Sequence, residues 1–145
     1  MADEIIMCED ELSLTYKQAV IAGLNHHAFQ KKGLGDTNGS FSLVIIDQDD
    51  TLLAGLQAYH YYGCCHIDLL YVKENIRGKG YGSRLLHKAE EIASERHCLF
   101  MSLNTMDFEA RPFYEKYGYA VDFVREGFEK GAVMYGMRKT IAERK

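Results

Sequence analysis

The stretch VKENIRGKGYGSRLLHKAEE, residues 72–91, marks a clear change of pattern along the chain. Before it, short apolar and aromatic runs are typical of strands. After Gly80, apolar residues recur at helical spacing. Glycines 78, 80 and 82 crowd the helix start, where exposed backbone N–H groups and the helix dipole favour an anion. The stretch therefore predicts a strand, an anion-holding loop and a helix in succession.

Composition and charge narrow the class of protein. The chain has 145 residues, of which 47% are apolar, so we predict one domain covering residues 1–145. The apolar runs are too short to span a bilayer, and a net charge of −4 argues against nucleic acid as a partner. Residues 1–11 lack the basic and apolar regions of a secretory signal, so we expect a cytoplasmic protein without membrane partners. The four cysteines form no C-x-x-C pair, so no metal site is predicted.

The flanking patterns predict a mixed α/β fold. Thr15 followed by Gln18 matches a capping box that would begin a first helix. Strands are predicted at 41–47, 52–62, 64–72, 98–103, 119–127 and 132–139, and further helices from residue 80 to about 97 and at 108–118. The full predicted order is β-α-β-β-β-α-β-α-β-β, with a mostly antiparallel sheet flanked by helices.

The glycine loop does not match the two common nucleotide-binding loops. A Walker-type loop needs a hydroxyl residue directly after its lysine, but Lys79 is followed by Gly80. A dinucleotide fingerprint lies tight against the end of its strand, whereas residues 73–77 separate Val72 from Gly78. The following strand also lacks an acid directly at its end to hold a ribose. Both nucleotide interpretations are therefore poor.

Residues 77–82, RGKGYG, instead match the pattern R/Q-x-x-G-x-G/A, and here the sequence resembles the GNAT superfamily of N-acetyltransferases, as a small bacterial-type single-domain member. Residues 66–97 are similar to that family's fourth strand, pyrophosphate loop and helix. Residues 103–121 are similar to its aromatic-rich helix and the closing strand. The resemblance implies the GNAT fold and an acetyl-coenzyme A-dependent N-acetyltransferase.

The resemblance also implies where the coenzyme lies, and it implies no metal. The pantetheine arm would add like a strand where the family's fourth and fifth strands separate, with a backbone N–H facing the thioester oxygen. In the loop, Arg77 and Lys79 would add positive charge and Ser83 a hydroxyl donor. Helix capping is the competing interpretation for Asp107. The implied coenzyme-binding residues are Leu70, Tyr71, Val72, Arg77, Gly78, Lys79, Gly80, Tyr81, Gly82, Ser83, Asn104 and Asp107.

A general acid is implied by the same resemblance. Family members often use the tyrosine of the FY pair in the helix predicted here at 108–118, which is Tyr114, to protonate the departing thiolate. Packing of this aromatic ring under the sheet is the alternative interpretation. Tyr117 and Tyr119 are weaker candidates, because the KYGY sequence indicates a helix end.

The general base is less well defined. Family enzymes often use a carboxylate on the fourth strand, and alternation predicts that His66, Asp68 and Leu70 share one face of the strand at 64–72. His66 has the better ordinary pKa for work at neutral pH. Asp68 would need a raised pKa, or would bind the ammonium group of the substrate. For both residues, a polar group near a sheet edge is the alternative interpretation.

The function implied is acetyl transfer from acetyl-coenzyme A to a primary amine of a small molecule, such as a polyamine or an aminosugar. A protein or peptide N-acetyltransferase and a non-catalytic acetyl-coenzyme A-binding domain are the alternatives. Loops at 30–40 and 126–131 would line the acceptor entrance. Exposed edges of the final strands leave room for a homodimer.

Overall fold

The structure, a computed structural model, describes residues 3–142. These residues divide into two compact units, one ending at Asp36 and one beginning at Thr37. The expectation of a single domain over residues 1–145 stays a prediction. Between residues 3 and 142, no helix is long and apolar enough to cross a membrane.

The first unit holds one helix, α1 (Leu14–Lys32), which begins earlier than the sequence predicted. The hydroxyl of Ser13 accepts a hydrogen bond from the Tyr16 backbone N–H at 3.3 Å and caps the helix. The predicted capping box at Thr15 and Gln18 is therefore wrong, because both residues lie inside the helix. Ser13 supplies the same kind of hydroxyl cap two residues earlier.

The predicted N-terminal strand is not observed, since residues 3–13 contain no regular secondary structure. Ile5 and Ile6 are 81% and 99% exposed. Isoleucine has a good strand propensity, but a strand also needs packing, and Ile5, Ile6 and Met7 all remain exposed. The observed order over the described residues is therefore α-β-β-β-α-β-α-β-β.

The second unit contains a mixed six-stranded sheet, which confirms the predicted fold class. The strands lie side by side in the order β1-β2-β3-β4-β6-β5. Within this unit, neighbouring strands run antiparallel except for the parallel pair β3–β4. The strands are β1 (Gly39–Ile46), β2 (Leu52–Tyr61), β3 (Cys64–Val72), β4 (Phe100–Met106), β5 (Ala120–Arg125) and β6 (Met134–Thr140).

Two helices accompany the sheet, α2 (Tyr81–Glu95) and α3 (Arg111–Lys116). Helix α2 buries Leu85, Leu86, Ala89 and Ala93, which are among the apolar residues that recur at helical spacing after Gly80. These side chains join a core that includes residues of β2, β3 and β4, and this packing holds the helix against the sheet. The N-terminus of α2 thereby lies beside the end of β3.

Strands β3 and β4 separate midway along their length. They pair only between Cys64–Ile67 and Phe100–Leu103. Beyond that point β3 continues beside β2 as far as Val72, and β4 continues beside β6. The separation leaves one edge of each strand without its sheet partner, as the family resemblance implied.

A β-bulge changes the faces of β3. One residue of β2 lies opposite Ile67 and the adjacent one lies opposite Leu69, so Asp68 is an extra residue in the register. Leu70 packs against the core, while Leu69 is 64% exposed. The prediction that His66, Asp68 and Leu70 alternate onto one face is therefore wrong, because the extra residue reverses the alternation.

Candidate active site

A cavity of about 680 Å³ lies where the end of β3, the glycine loop and α3 meet. The glycine loop lies at one part of its wall and the aromatic side chains of α3 at another. Of the predicted coenzyme-binding residues, nine line this cavity, and Lys79, Asn104 and Asp107 do not. The lining residues are Leu70, Tyr71, Val72, Arg77, Gly78, Gly80, Tyr81, Gly82, Ser83, Phe108, Glu109, Ala110, Phe113, Tyr114, Lys116 and Tyr117.

The first two glycines of the loop have a backbone that other residues rarely adopt. Gly78 has φ +81° and Gly80, the N-cap of α2, has φ +87°. The Ser83 hydroxyl donates to the Gly80 carbonyl at 3.0 Å, so this donor stabilises the first helical turn. These conformations bring the positive end of the α2 dipole to the cavity wall.

Gly82 has a different role. A Cβ atom at this position would lie 3.2 Å from Cζ of Phe113 and 3.5 Å from Cγ2 of Val72. The absence of a side chain therefore lets the first turn of α2 approach α3 closely. The third glycine of the motif serves helix packing as well as the cavity wall.

Two cationic side chains line the first cavity. Arg77 donates from Nε to the Val72 carbonyl at 3.0 Å, which holds the guanidinium beside the end of β3. Lys116, in the last turn of α3, was not predicted from the sequence, although a lysine in the family-like FYEK segment was visible. Lys79, which was predicted, is exposed and does not line this cavity.

Tyr114 occupies the wall of the first cavity and is 8% exposed. The ring packs edge-on against Phe113 and Tyr119, with centroid distances of 5.2 Å and 5.9 Å. Burial, followed by the negative charge of Glu109, raises the pKa of Tyr114 to about 12. The phenol therefore holds its proton at neutral pH, and the ring both packs in the core and reaches the site.

Tyr119 does not lie in the site. The hydroxyl donates to Oε2 of Glu90 at 2.8 Å, and Lys139 donates to the other oxygen of the same carboxylate at 2.9 Å. Burial and the Glu90 carboxylate raise the pKa of Tyr119. Glu90 of α2 thus binds both Tyr119, which directly precedes β5, and Lys139 of β6, so this tyrosine serves the fold. Tyr117 does line the first cavity.

A second cavity, of about 250 Å³, opens where β3 and β4 separate. The predicted residues Asp68 and Asn104 line it. Among the described residues, its ionisable lining consists of Asp68, Glu109 and Tyr114 and includes no lysine or arginine. This wall favours a cationic group. The complete lining is Ile67, Asp68, Leu69, Leu70, Leu103, Asn104, Thr105, Glu109, Ala110 and Tyr114.

His66 lines neither of these cavities. Nδ1 lies 2.7 Å from the Ser102 hydroxyl, and the ring lies 5.2 Å from the ring of Tyr59. Burial lowers the pKa of His66, and the nearby Asp68 carboxylate partly opposes that shift. A role for His66 as general base stays a prediction, but these contacts favour the alternative of a hydrogen-bonded polar group in the sheet.

Asp107 holds a loop in place. Its backbone N–H donates to the Val133 carbonyl at 2.8 Å, and Oδ1 accepts from the Val133 N–H at 3.3 Å. The N-cap of α3 is Ala110, so the helix-capping interpretation of Asp107 is wrong. The implied contact with the coenzyme stays a prediction.

The sequence does not single out Glu109, because it falls within the helix predicted at residues 108–118. Helix α3 begins only at Arg111, so Glu109 lies in the preceding loop. Oε1 accepts a hydrogen bond from the Met106 N–H at 3.1 Å, and the side chain contributes to both cavities. The sequence signal that could have indicated Glu109 is an acidic residue shortly before the FY pair of the predicted helix. Among residues 3–142, no group of three histidine, cysteine or acidic side chains is arranged to hold a metal ion.

Sequence comparisons place these features in a family. The model of the acetyltransferase (GNAT) family matches residues 7–119. An acetyltransferase of Agrobacterium fabrum is 35% identical over 78 residues, which are 54% of this chain and 57% of that protein. The blasticidin-S acetyltransferase of Streptomyces morookaense is 41% identical over 69 residues, covering 47% and 51% of the two chains. The matched segments thus span about half the length of these relatives.

Solved structures agree with the fold. An acetyltransferase from Bacillus cereus has a TM-score of 0.75 at 27% identity, with 92% of this chain and 97% of that chain covered. An aminoglycoside 6'-N-acetyltransferase complexed with coenzyme A has the same fold, with a TM-score of 0.64 at 22% identity over 73% and 75% of the chains. Since the family match extends over most of the sequence and includes the glycine loop and the α3 tyrosine, this chain belongs to the acetyltransferase (GNAT) family.

Proposed function

We propose that this protein transfers an acetyl group from acetyl-coenzyme A to a primary amine of a small molecule, by direct attack in a ternary complex. One observation carries the proposal. A single cavity joins the glycine loop at the start of α2 to the buried phenol of Tyr114, beside the point where β3 and β4 separate. The family membership supports the reaction type.

The chain offers a fit for each part of the donor. The pyrophosphate would lie at the N-terminus of α2, where the backbone N–H groups of Gly78 and Gly80 would bind it and Arg77 would add charge. The pantetheine arm would lie along the unpaired edge of β3, residues 68–72, as an added strand. A backbone N–H on that edge would stabilise the thioester oxygen as negative charge develops.

The chemistry then needs a neutral amine and a proton for sulfur. The amine nitrogen attacks the thioester carbon, a C–N bond forms, and the C–S bond breaks. Tyr114 donates its proton to the departing sulfur, and the phenolate recovers a proton from the new amide nitrogen. A phenol whose pKa is about 12 is a weaker acid than free tyrosine, so transfer to sulfur must accompany C–S cleavage.

The acceptor would occupy the second cavity. Its acidic lining, with Asp68 as one ammonium-binding group, favours a cationic amine such as a polyamine or an aminosugar. Relatives named for acetylation of blasticidin S and for 6'-N-acetylation of aminoglycosides support a small-molecule acceptor. A cytoplasmic location and a homodimer stay predictions.

The test is release of free thiol from acetyl-coenzyme A with a panel of amines. The panel contains spermidine, glucosamine, kanamycin, blasticidin S and a short peptide with a free N-terminus, and calorimetry measures coenzyme binding in parallel. Thiol release above background hydrolysis with a small amine, together with an acetylated product by mass spectrometry, supports the proposal.

Other outcomes identify the alternatives. Acetylation of the peptide alone would overturn the small-molecule acceptor and favour a peptide N-acetyltransferase. Coenzyme binding without transfer to any amine would overturn the enzymatic function and favour a coenzyme-binding domain.

A further inference from the structure

Four residues line both cavities, and only two of them carry a titratable side chain. The four are Leu70, Glu109, Ala110 and Tyr114. The proposed reaction removes a proton from the amine and delivers one to sulfur at the junction of acceptor and donor. Glu109 and Tyr114 are the two titratable groups at that junction, and Tyr114 is already assigned to sulfur.

The Glu109 carboxylate is held in position by the loop that carries it. The Met106 N–H donates to Oε1 at 3.1 Å, so one oxygen is anchored to the end of β4. The next residue, Ala110, donates its N–H to the hydroxyl of Thr105 at 3.3 Å. Thr105 is 3% exposed, so the loop is tied to a buried part of β4. A carboxylate fixed in this way can meet an amine without reorganising the loop.

We propose that Glu109 is a catalytic residue that accepts the proton of the acceptor ammonium group. The inference rests on the proposed function and assigns the general base that the sequence left open. Asp68 lines only the second of the two cavities, and His66 lines neither of them. The field of Glu109 on Tyr114, which contributes to the raised pKa of that phenol, is consistent with two groups at one junction.

The proton balance closes with these two side chains. The ammonium group R–NH₃⁺ gives one proton to the Glu109 carboxylate and becomes the neutral nucleophile. After attack, Tyr114 protonates the thiolate and takes back the remaining excess proton from the amide nitrogen. Glu109 then releases its proton to water, so the net products are the amide, coenzyme A and one proton.

Several charged or titratable groups line the two cavities together with Glu109. Asp68 of β3 and Tyr114 of α3 line the second cavity with it. The first cavity adds two cationic and three phenolic groups from β3, the glycine loop, α2 and α3. These are Arg77, Lys116, Tyr71, Tyr81 and Tyr117.

The test compares Glu109→Gln with Glu115→Gln in the full chain, using the best amine of the panel. Glutamine keeps the size of the side chain and an oxygen for the Met106 N–H, but it cannot accept the proton. Glu115 lies on α3, 3.3 Å from Arg111, and lines neither cavity, so it is a matched control. We expect Glu109→Gln to lower kcat/KM about 100-fold at pH 7.

The pH profile separates a base from a structural support. Above about pH 9, solution supplies more neutral amine, so the defect of Glu109→Gln should shrink as the pH approaches the pKa of a primary amine, roughly 10. Coenzyme affinity should stay within about threefold, because the carboxylate is assigned to the acceptor. Glu115→Gln should match the unmodified protein throughout.

The failures are distinguishable. If the unmodified protein transfers acetyl groups and Glu109→Gln has the same rate and pH profile, the role of Glu109 is overturned while the proposed function stands. The role of Glu109 is also overturned if the pH-dependent loss of kcat/KM occurs in Asp68→Asn and not in Glu109→Gln. A loss that is constant across pH shows a structural role and also overturns it. Absence of transfer to every amine by the unmodified protein overturns the proposed function, and the role of Glu109 with it.

Discussion

Two buried tyrosines five residues apart should respond in opposite ways to the same substitution. Tyr114 lines both cavities, whereas Tyr119 donates its hydroxyl hydrogen to Glu90 at 2.8 Å and lines neither. Phenylalanine keeps each aromatic ring and removes only the oxygen. We expect Tyr114→Phe to lose catalysis with its stability kept, and Tyr119→Phe to lose stability with its catalysis kept.

The magnitudes follow from these contacts. Loss of a positioned general acid typically costs 10²–10⁴-fold, so kcat of Tyr114→Phe should fall by at least about 100-fold. The hydroxyl of Tyr119 is bonded to a charged carboxylate, and such bonds contribute roughly 1.5–3 kcal/mol. Glu90 keeps its contact with Lys139 at 2.9 Å, so the lower part of that range, about 1.5–2 kcal/mol, is expected.

The assays are thiol release for kcat and urea unfolding for the free energy of unfolding, with calorimetry to verify coenzyme binding. Unchanged turnover in Tyr114→Phe would remove this residue from the acid role. A loss of kcat in Tyr119→Phe equal to that of Tyr114→Phe, measured well below its urea midpoint, would refute the division of roles. Each variant is the matched control of the other.

Further predictions concern the glycine loop, the pH dependence of stability and the alternative base His66. Gly80→Glu should weaken coenzyme binding by at least about 100-fold in calorimetry, because the residue has φ +87° and the acid repels the pyrophosphate. Gly127→Glu is the control, since that glycine has φ +93° with nothing within 4 Å, and equal weakening would contradict the prediction. Burial raises the pKa of Tyr114 to about 12 from an unfolded value near 10, so stability is full below pH 10 and falls as pH rises toward 12. Between those pH values, the free energy of unfolding measured with urea should fall by about 3 kcal/mol less in Tyr114→Phe than in the unmodified protein. An identical fall in both proteins would refute this cause. His66→Gln should keep kcat/KM within about threefold, and a larger fall at neutral pH would reinstate His66 as a base.

Most of the fold was predictable because its signals are local. The pattern of residues 64–72 predicted β3 with its observed bounds, and the stripe of Leu85, Leu86 and Ala89 predicted the buried face of α2. The leading strand was wrong, because strand formation depends on a partner that sequence does not show. The Thr15 cap was wrong because Ser13 offered the same chemistry earlier.

The sequence by itself determined the glycine loop, the helix it begins and the aromatic helix that follows, since each depends on residues that are neighbours in the chain. Only the tertiary structure decided which side chains share the site. The bulge at Asp68 depends on the register with β2, and the contact of His66 with Ser102 joins residues 36 positions apart. The junction of Glu109 and Tyr114 depends on where β3 and β4 separate. These are long-range packing relations, so no local pattern encodes them.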